Sequence, residues 1–268
     1  MLSAGRPMRS RKMPTGKGLA KSSTKSHSPL AAHSAASLLA SPLPTLAGSF
    51  SVNPVRMDLS ATQPVASVTV RNDGAEATVV QLELMGWAQA DNSDVYESTA
   101  DLLATPPVFT VPPGGSRVVR VGLRRRPDPL HELTYRLYLQ EVPPPLEADF
   151  RGMRMTLRVG VPVFVAANSQ TRPELKWSTV AGPGGKIKLG LLNSGSEHVK
   201  IADLELSTDT GGTHSSGVQR VATYVLPGQR REWLLQMDGP IAPGSKIRIK
   251  AHTDAHAELA ANLALDAT

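Results

Sequence analysis

From Ser49 onward, apolar and polar residues alternate with a period of two. Residues 65–71, 78–85, 117–123 and 135–140 alternate or are apolar on both faces. Turn-forming residues separate them: Asn72-Asp73-Gly74, Pro112-Pro113-Gly114-Gly115 and Pro127-Asp128-Pro129. Side chains two apart share one face of a strand, so each segment can bury one face and wet the other. After a polar, proline-containing stretch at 169–175 the pattern resumes at 186–192, 199–206, 231–237 and 246–251. Short strands about ten residues apart, punctuated by Gly, Pro and Asn, predict an all-β sandwich fold. The stretch at 169–175 reads as a linker. The chain then divides into an N-terminal block, 48–168, and a C-terminal block, 169–268, each the size of one immunoglobulin-like sandwich.

Charge changes the picture only at the N-terminus. The chain has 268 residues, 29 Lys and Arg against 23 Asp and Glu, and a pI near 9.7. Seven of those bases (Arg6, Arg9, Arg11, Lys12, Lys17, Lys21 and Lys25) fall within residues 1–47, and the first acid is Asp58. The rest of the chain is nearly neutral, so the pI describes a leader and not a nucleic-acid surface. Aromatic residues are only 4%, too few for a base-stacking platform. No apolar window is long enough to span a membrane as a helix. Cysteine is absent, which excludes a thiol nucleophile, disulfides and a Cys-based zinc site.

Residues 1–47 have the parts of a secretory signal: a basic segment, an apolar segment (Ala35-Ala36-Ser37-Leu38-Leu39-Ala40) and a small-residue end, Thr45-Leu46-Ala47. This leader predicts export, with a mature start near Gly48.

The longest clean alternation is 153–163. One face carries Met153, Met155, Leu157, Val159, Val161 and Val163; the other carries Arg154, Thr156, Arg158, Gly160 and Pro162. Pro162 cannot donate to a ladder, which places this strand at a sheet edge. A long apolar edge invites pairing with another chain, including a second copy of itself. Methionines suit a surface that repacks against partners.

Catalytic chemistry finds no support. His252, Asp254 and His256 would share a strand face but lack further ligands for a metal. Gly182-Pro183-Gly184-Gly185-Lys186 lacks the spacing of a phosphate loop and reads as a turn. The residues call for no cofactor.

Five stretches, in order, carry a resemblance. They are residues 52–56, with Arg56; 68–73; 105–114 followed by 119–122; 132–144; and 157–165. Together they resemble the PapD-like family of periplasmic pilus and fimbrial assembly chaperones, nearer to its archaic, spore-coat-U-like branch. The resemblance implies two immunoglobulin-like sandwiches in a boomerang arrangement and no enzymatic activity. It implies a periplasmic protein that binds pilus subunits by donor-strand complementation and delivers them to an outer-membrane usher. A two-domain sandwich adhesin is the alternative. The donor residues would be Met153, Met155, Leu157 and Val159. Arg56 would anchor the C-terminus of the bound pilin. The family's second basic anchor is Pro162 here, so Arg154 or Arg158 becomes a candidate substitute. Arg120 and Glu132 match two members of the family's ion-pair network near the domain junction, and Ala166 replaces a third.

Overall fold

The period-two segments form strands because each buries one face against a second sheet. The structure, a computed structural model, describes residues 50–145, 151, 153–209 and 213–267. The leader and its expected cleavage site lie outside the described residues. Among the described residues, the first sandwich has ten strands: β1 (Phe50–Asn53), β2 (Met57–Leu59), β3 (Val65–Asn72), β4 (Thr78–Ala90), β5 (Ser93–Ser98), β6 (Leu102–Thr105), β7 (Val108–Val111), β8 (Ser116–Leu123), β9 (Leu133–Val142) and β10 (Arg158–Val165). One sheet runs β1-β3-β8-β6. The other runs β2-β10-β9-β4-β5, with β7 also on β4. Val68, Val70, Val119 and Val121 from the first meet Leu137, Leu139, Val161 and Val163 from the second, all buried. Each such side chain contributes about 1.5–3 kcal/mol.

The second sandwich has eight strands among the described residues: β11 (Leu175–Ala181), β12 (Lys186–Asn193), β13 (Val199–Thr208), β14 (His214–Ser215), β15 (Gln219–Val225), β16 (Arg230–Gln236), β17 (Lys246–Thr253) and β18 (Glu258–Ala264). Sheet β11-β12-β16 packs on β14-β13-β17-β18, with β15 also on β13. On β13 the inward set is Ile201, Leu204 and Leu206, a spacing that breaks strict alternation. The β13 register shifts between Ile201 and Asp203, and this bulge restores the phase. The fold is all-β, two immunoglobulin-like sandwiches, as the pattern predicts.

Both sandwiches turn a corner on a buried asparagine. Asn72 ends β3, and its Nδ2 donates to the carbonyls of Glu76 and Val111 while its Oδ1 accepts from Gly74 N. Asn193 ends β12 and repeats the arrangement, with donations to Glu197 and Val225 carbonyls and acceptance from Gly195 and Glu174 N–H. Gly195 is required here, because a Cβ would run into the Arg172 carbonyl. Removing the amide strands several buried polar groups at once. Asn193→Ala is therefore expected to cost about 2–4 kcal/mol, a fall of roughly 5–15 °C in melting temperature. Asn262→Ala, on exposed β18, should stay within about 0.5 kcal/mol. Thermal unfolding of the two variants checks the contrast.

Candidate functional site

The segment singled out by its alternation is only half strand. β10 begins at Arg158, not at Met153. Its register with β9 pairs Arg158 with Gln140 and Pro162 with Arg136. Continued backward, that register sets 153–155 against Pro143, Pro144 and Pro145, which have no N–H to donate, so the ladder ends. Met153 and Met155 are left 86% and 61% exposed. From Leu157 on, the same face turns into the protein: Leu157 and Val159 pack partly on the first core, and Val161, Val163 and Val165 are within it. On its other side β10 meets β2, in parallel, only from Val163 to Val165. From Arg158 to Pro162 no described strand occupies that edge. The edge position expected from Pro162 is thus found, but the four donor-face residues divide into two exposed and two half-buried.

The opposite face of this sheet gathers aromatic rings and cations. Arg158 lies 4.0 Å over the Tyr138 ring and pairs with Glu83 at 2.9 Å. Tyr138 meets Tyr96 edge-on at 5.7 Å. Arg136 lies 4.1 Å over Trp87 and 5.8 Å over Tyr96. Burial, and then the hydrogen bond with Tyr138, push the Tyr96 hydroxyl up to about 12. Arg154 donates to the Pro144 carbonyl.

This face leads to the junction of the sandwiches, where Trp87, Phe164 and Leu226 form a third buried cluster with Tyr96 and Tyr224 against it. His198 of the second sandwich stacks on Phe164 of β10, with centroids 3.7 Å apart. Glu132 reaches across and accepts from His198 twice, from its backbone N–H at 3.0 Å and at its ring Nδ1 at 2.7 Å. Both side chains are buried. Glu132 therefore pairs with His198, not with Arg120; Arg120 sits exposed on β8, opposite Ser67 and Thr105.

The β4–β5 hairpin is a second clasp. Its tip residues Asp91 and Asn92 have φ of 50° and 62°, as a tight hairpin turn requires. Asn92 exchanges hydrogen bonds with the backbone of Glu232, donating at 3.0 Å and accepting at 2.7 Å. Arg231, nearly fully buried, bonds the Asn92 carbonyl and Asp94. Gln89 donates to the Tyr224 carbonyl and accepts from Leu226 N–H. Sequence reading missed this hairpin. The signal was Asp91-Asn92 between two alternating segments.

Between the clasps lies a cleft of about 480 Å³, lined by Val55, Trp87, Asp94, Arg136, Pro162, Lys200, Ala222, Thr223, Tyr224 and Arg231. Ala222 holds φ of 44° in its wall, a conformation that costs about 1 kcal/mol or more outside glycine. Arg56 stands nearby, 5.1 Å over the Phe164 ring. It donates to Asp58 through Nε and Nη2 and lies 3.9 Å from Asp254. Burial opposes its charge, but the Asp58 hydrogen bond and the charges of Asp58, Tyr224 and Asp254 outweigh that and raise its pKa. Burial likewise raises the Tyr224 hydroxyl. The residues set aside as a metal site are otherwise engaged. His252 bonds Asp203 at 2.6 Å and His256 sits in a turn. Among the described residues no group of three or more ligating side chains could hold a metal ion, and no helix is long and apolar enough to cross a membrane.

Comparison with known proteins agrees with this geometry. No curated protein sequence matches the chain. Solved structures do, at the level of fold. A chain of the CsuC–CsuE chaperone–tip adhesion subunit pre-assembly complex, from the archaic chaperone-usher Csu pili of Acinetobacter baumannii, is 20% identical. It covers 82% of this chain and 100% of its own, with a TM-score of 0.58. The Salmonella enterica complex of SafA pilin with the SafB chaperone matches at 19% identity, 83% and 99% coverage and a TM-score of 0.55. The E. coli chaperone DraB matches at 18%, 82%, 99% and 0.53. Residues 49–169, the first sandwich, match the family model of the PapD N-terminal domain of pili and flagellar-assembly chaperones.

Proposed function

We propose that this protein is a periplasmic chaperone that captures pilus subunits by donor-strand complementation and delivers them to an outer-membrane usher. The observation that carries the reading is the exposure of Met153 and Met155 on a segment continuous with the unpaired edge of β10. A strand edge supplies main-chain hydrogen bonds to an extended partner, and alternate side chains on one face supply fit. Chaperone–pilin complexes are a known instance of this β-augmentation. Leu157 and Val159, half-buried on the chaperone's own core, continue that face toward the bound pilin. Arg56, at the mouth of the cleft, is the proposed contact for the pilin's C-terminal region. An adhesin would need this edge covered, and nothing in the described residues covers it from Arg158 to Pro162.

Export is part of the proposal. N-terminal sequencing of the protein recovered from a bacterial periplasm should begin within a few residues of Gly48. From cells that express a pilin, that pilin should co-purify with it. An intact Met1 on a protein confined to the cytosol would reject the reading.

A further inference from the structure

We propose that the second sandwich pairs with a second copy of this chain along the free edge of β18, in an antiparallel register centred on Ala260. β18 spans seven residues, and its one charge, Glu258, stands at its first position. The other edges described here are blunted or engaged. β1, β2, β6, β7 and β14 are four residues or shorter. β5 carries Asp94 and Glu97, and β11 carries Lys176. β15 breaks register, and β16 is bonded by Asn92. β10 holds Pro162 and is the edge proposed for capture. β18 has none of the devices (lysine, proline, bulge) that keep strangers off an edge.

The ladder shows which backbone groups are free. Thr253 N–H donates to the Ala257 carbonyl and Leu265 N–H to the Ser245 carbonyl, so the odd-numbered residues of this strand bond toward β17. The even-numbered residues face the other way. Past the middle of the strand that side is taken. The Ala264 carbonyl accepts from Thr179 Oγ1, and Asp266 bonds Thr179 and Ala181 of β11. Glu258, Ala260 and Asn262 remain. All three are exposed, and among the described residues none has a backbone partner on that side. These groups are evenly spaced about Ala260. A two-fold axis at Ala260 sets that residue against its own copy and Glu258 against the partner's Asn262. Every outward N–H and C=O of the three then gains a partner.

The side chains fit the same register. On the face toward the second core, Leu259 meets the partner's Ala261, large against small, and the axis repeats the contact; both residues pack on that core. On the solvent face, alanine meets alanine at the axis, with neither bulk nor charge. Glu258, which touches Lys250 at 3.3 Å in its own chain, arrives beside the partner's Asn262. The neighbour of Asn262 on β17 is Arg248. Arg248 reaches Asp209 at 3.6 Å with both side chains exposed, and Lys246 lines the same pocket with Arg248 and Asn262. The incoming acid thus meets two cations and one acid, a complementary charge. Symmetry supplies this match for a second copy, whereas a foreign strand has no built-in register here. The pairing makes no use of the β10 edge and does not depend on subunit capture.

The test is sedimentation of the mature chain over a range of concentrations. One strand pair is a small interface, so association is expected at tens to hundreds of micromolar, roughly. Ala260→Pro removes an N–H that serves only the interface, at an edge where proline is tolerated. It should keep the melting temperature within a few degrees and weaken association at least about tenfold. Met155→Asn, on the segment leading into β10, should leave association unchanged. The chain has no cysteine, so a single introduced thiol can cross-link only between copies. At residue 260 the two Cα atoms would lie about 5.5 Å apart, within disulfide reach. At residue 264 they would be about 27 Å apart. Ala260→Cys should therefore be oxidised by diamide to a covalent dimer at least about tenfold faster than Ala264→Cys. A chain that stays monomeric up to about 1 mM overturns the proposal. So does a dimer that survives Ala260→Pro but is lost in Met155→Asn, which would assign the pairing to β10. Equal cross-linking from residues 260 and 264 overturns it as well, and this readout stands even if Ala260→Pro unfolds.

Discussion

Met155→Asn is expected to leave the protein folded and to abolish capture of pilus subunits. The Met155 side chain is mostly in water and precedes the first residue of β10, so a polar replacement forfeits little packing in the free protein. In the proposed complex the same side chain fills an apolar groove. There the substitution loses about 1.5–3 kcal/mol of burial and adds about 1–3 kcal/mol for an unpaired amide in a dry site. Together these correspond to a loss of roughly two to four orders of magnitude in affinity. Thr156→Asn, on the opposite face, should change binding little. The structure adds a gradient along the donor face. Val159→Asn, packed partly on the first core, should lower the melting temperature as well as binding, with Leu157→Asn between the two. Melting curves and co-purification of a pilin separate these outcomes. Unfolding by Met155→Asn alone, or equal losses from both faces, would mean that the segment serves the protein's own core.

The second large effect concerns the junction. Glu132→Ala is expected to destabilise the protein by about 3–5 kcal/mol, the usual cost of removing one member of a buried pair. It leaves the His198 backbone N–H without its acceptor and the ring without its partner, both beneath the Phe164 stack. Glu132→Gln keeps an oxygen for those donors and should cost less. Asp58→Ala, at an exposed pair with Arg56, should cost no more than about 1 kcal/mol. Urea unfolding checks the order. If Glu132→Ala proved as mild as Asp58→Ala, the pair would not hold the sandwiches together.

The sandwiches were legible because alternation is a local signal. Segments 65–71, 117–123 and 135–140 became β3, β8 and β9 with only small shifts at their ends, and Pro162 marked the edge. The extent of β10 was not legible. It depends on a proline run, 143–145, that meets the segment only through the register of β9. β4 runs through Gly86 to Ala90, whereas the alternation in the sequence ends at Met85. The junction left no pattern at all. Glu132 with His198, and Asp94 with Arg231, are charges far apart in the chain that find each other only after both sandwiches form. Arg120 resembled a network member by its place in a motif, yet on an eight-residue strand its phase turns it outward, away from Glu132. The cleft cations were missed for the same reason, since Arg136 and Lys200 belong to different sandwiches.

The most direct test of the central claim is hydrogen exchange of the mature protein, free and bound to a pilin. If the segment lends a strand, the backbone amides of 153–156, and those of 158–161 that point away from β9, should exchange quickly in the free chain and become strongly protected in the complex. Those of β8 should be unchanged. Protection confined to other surfaces, with those outward amides of 153–161 still exchanging freely in a stable complex, would contradict donor-strand capture.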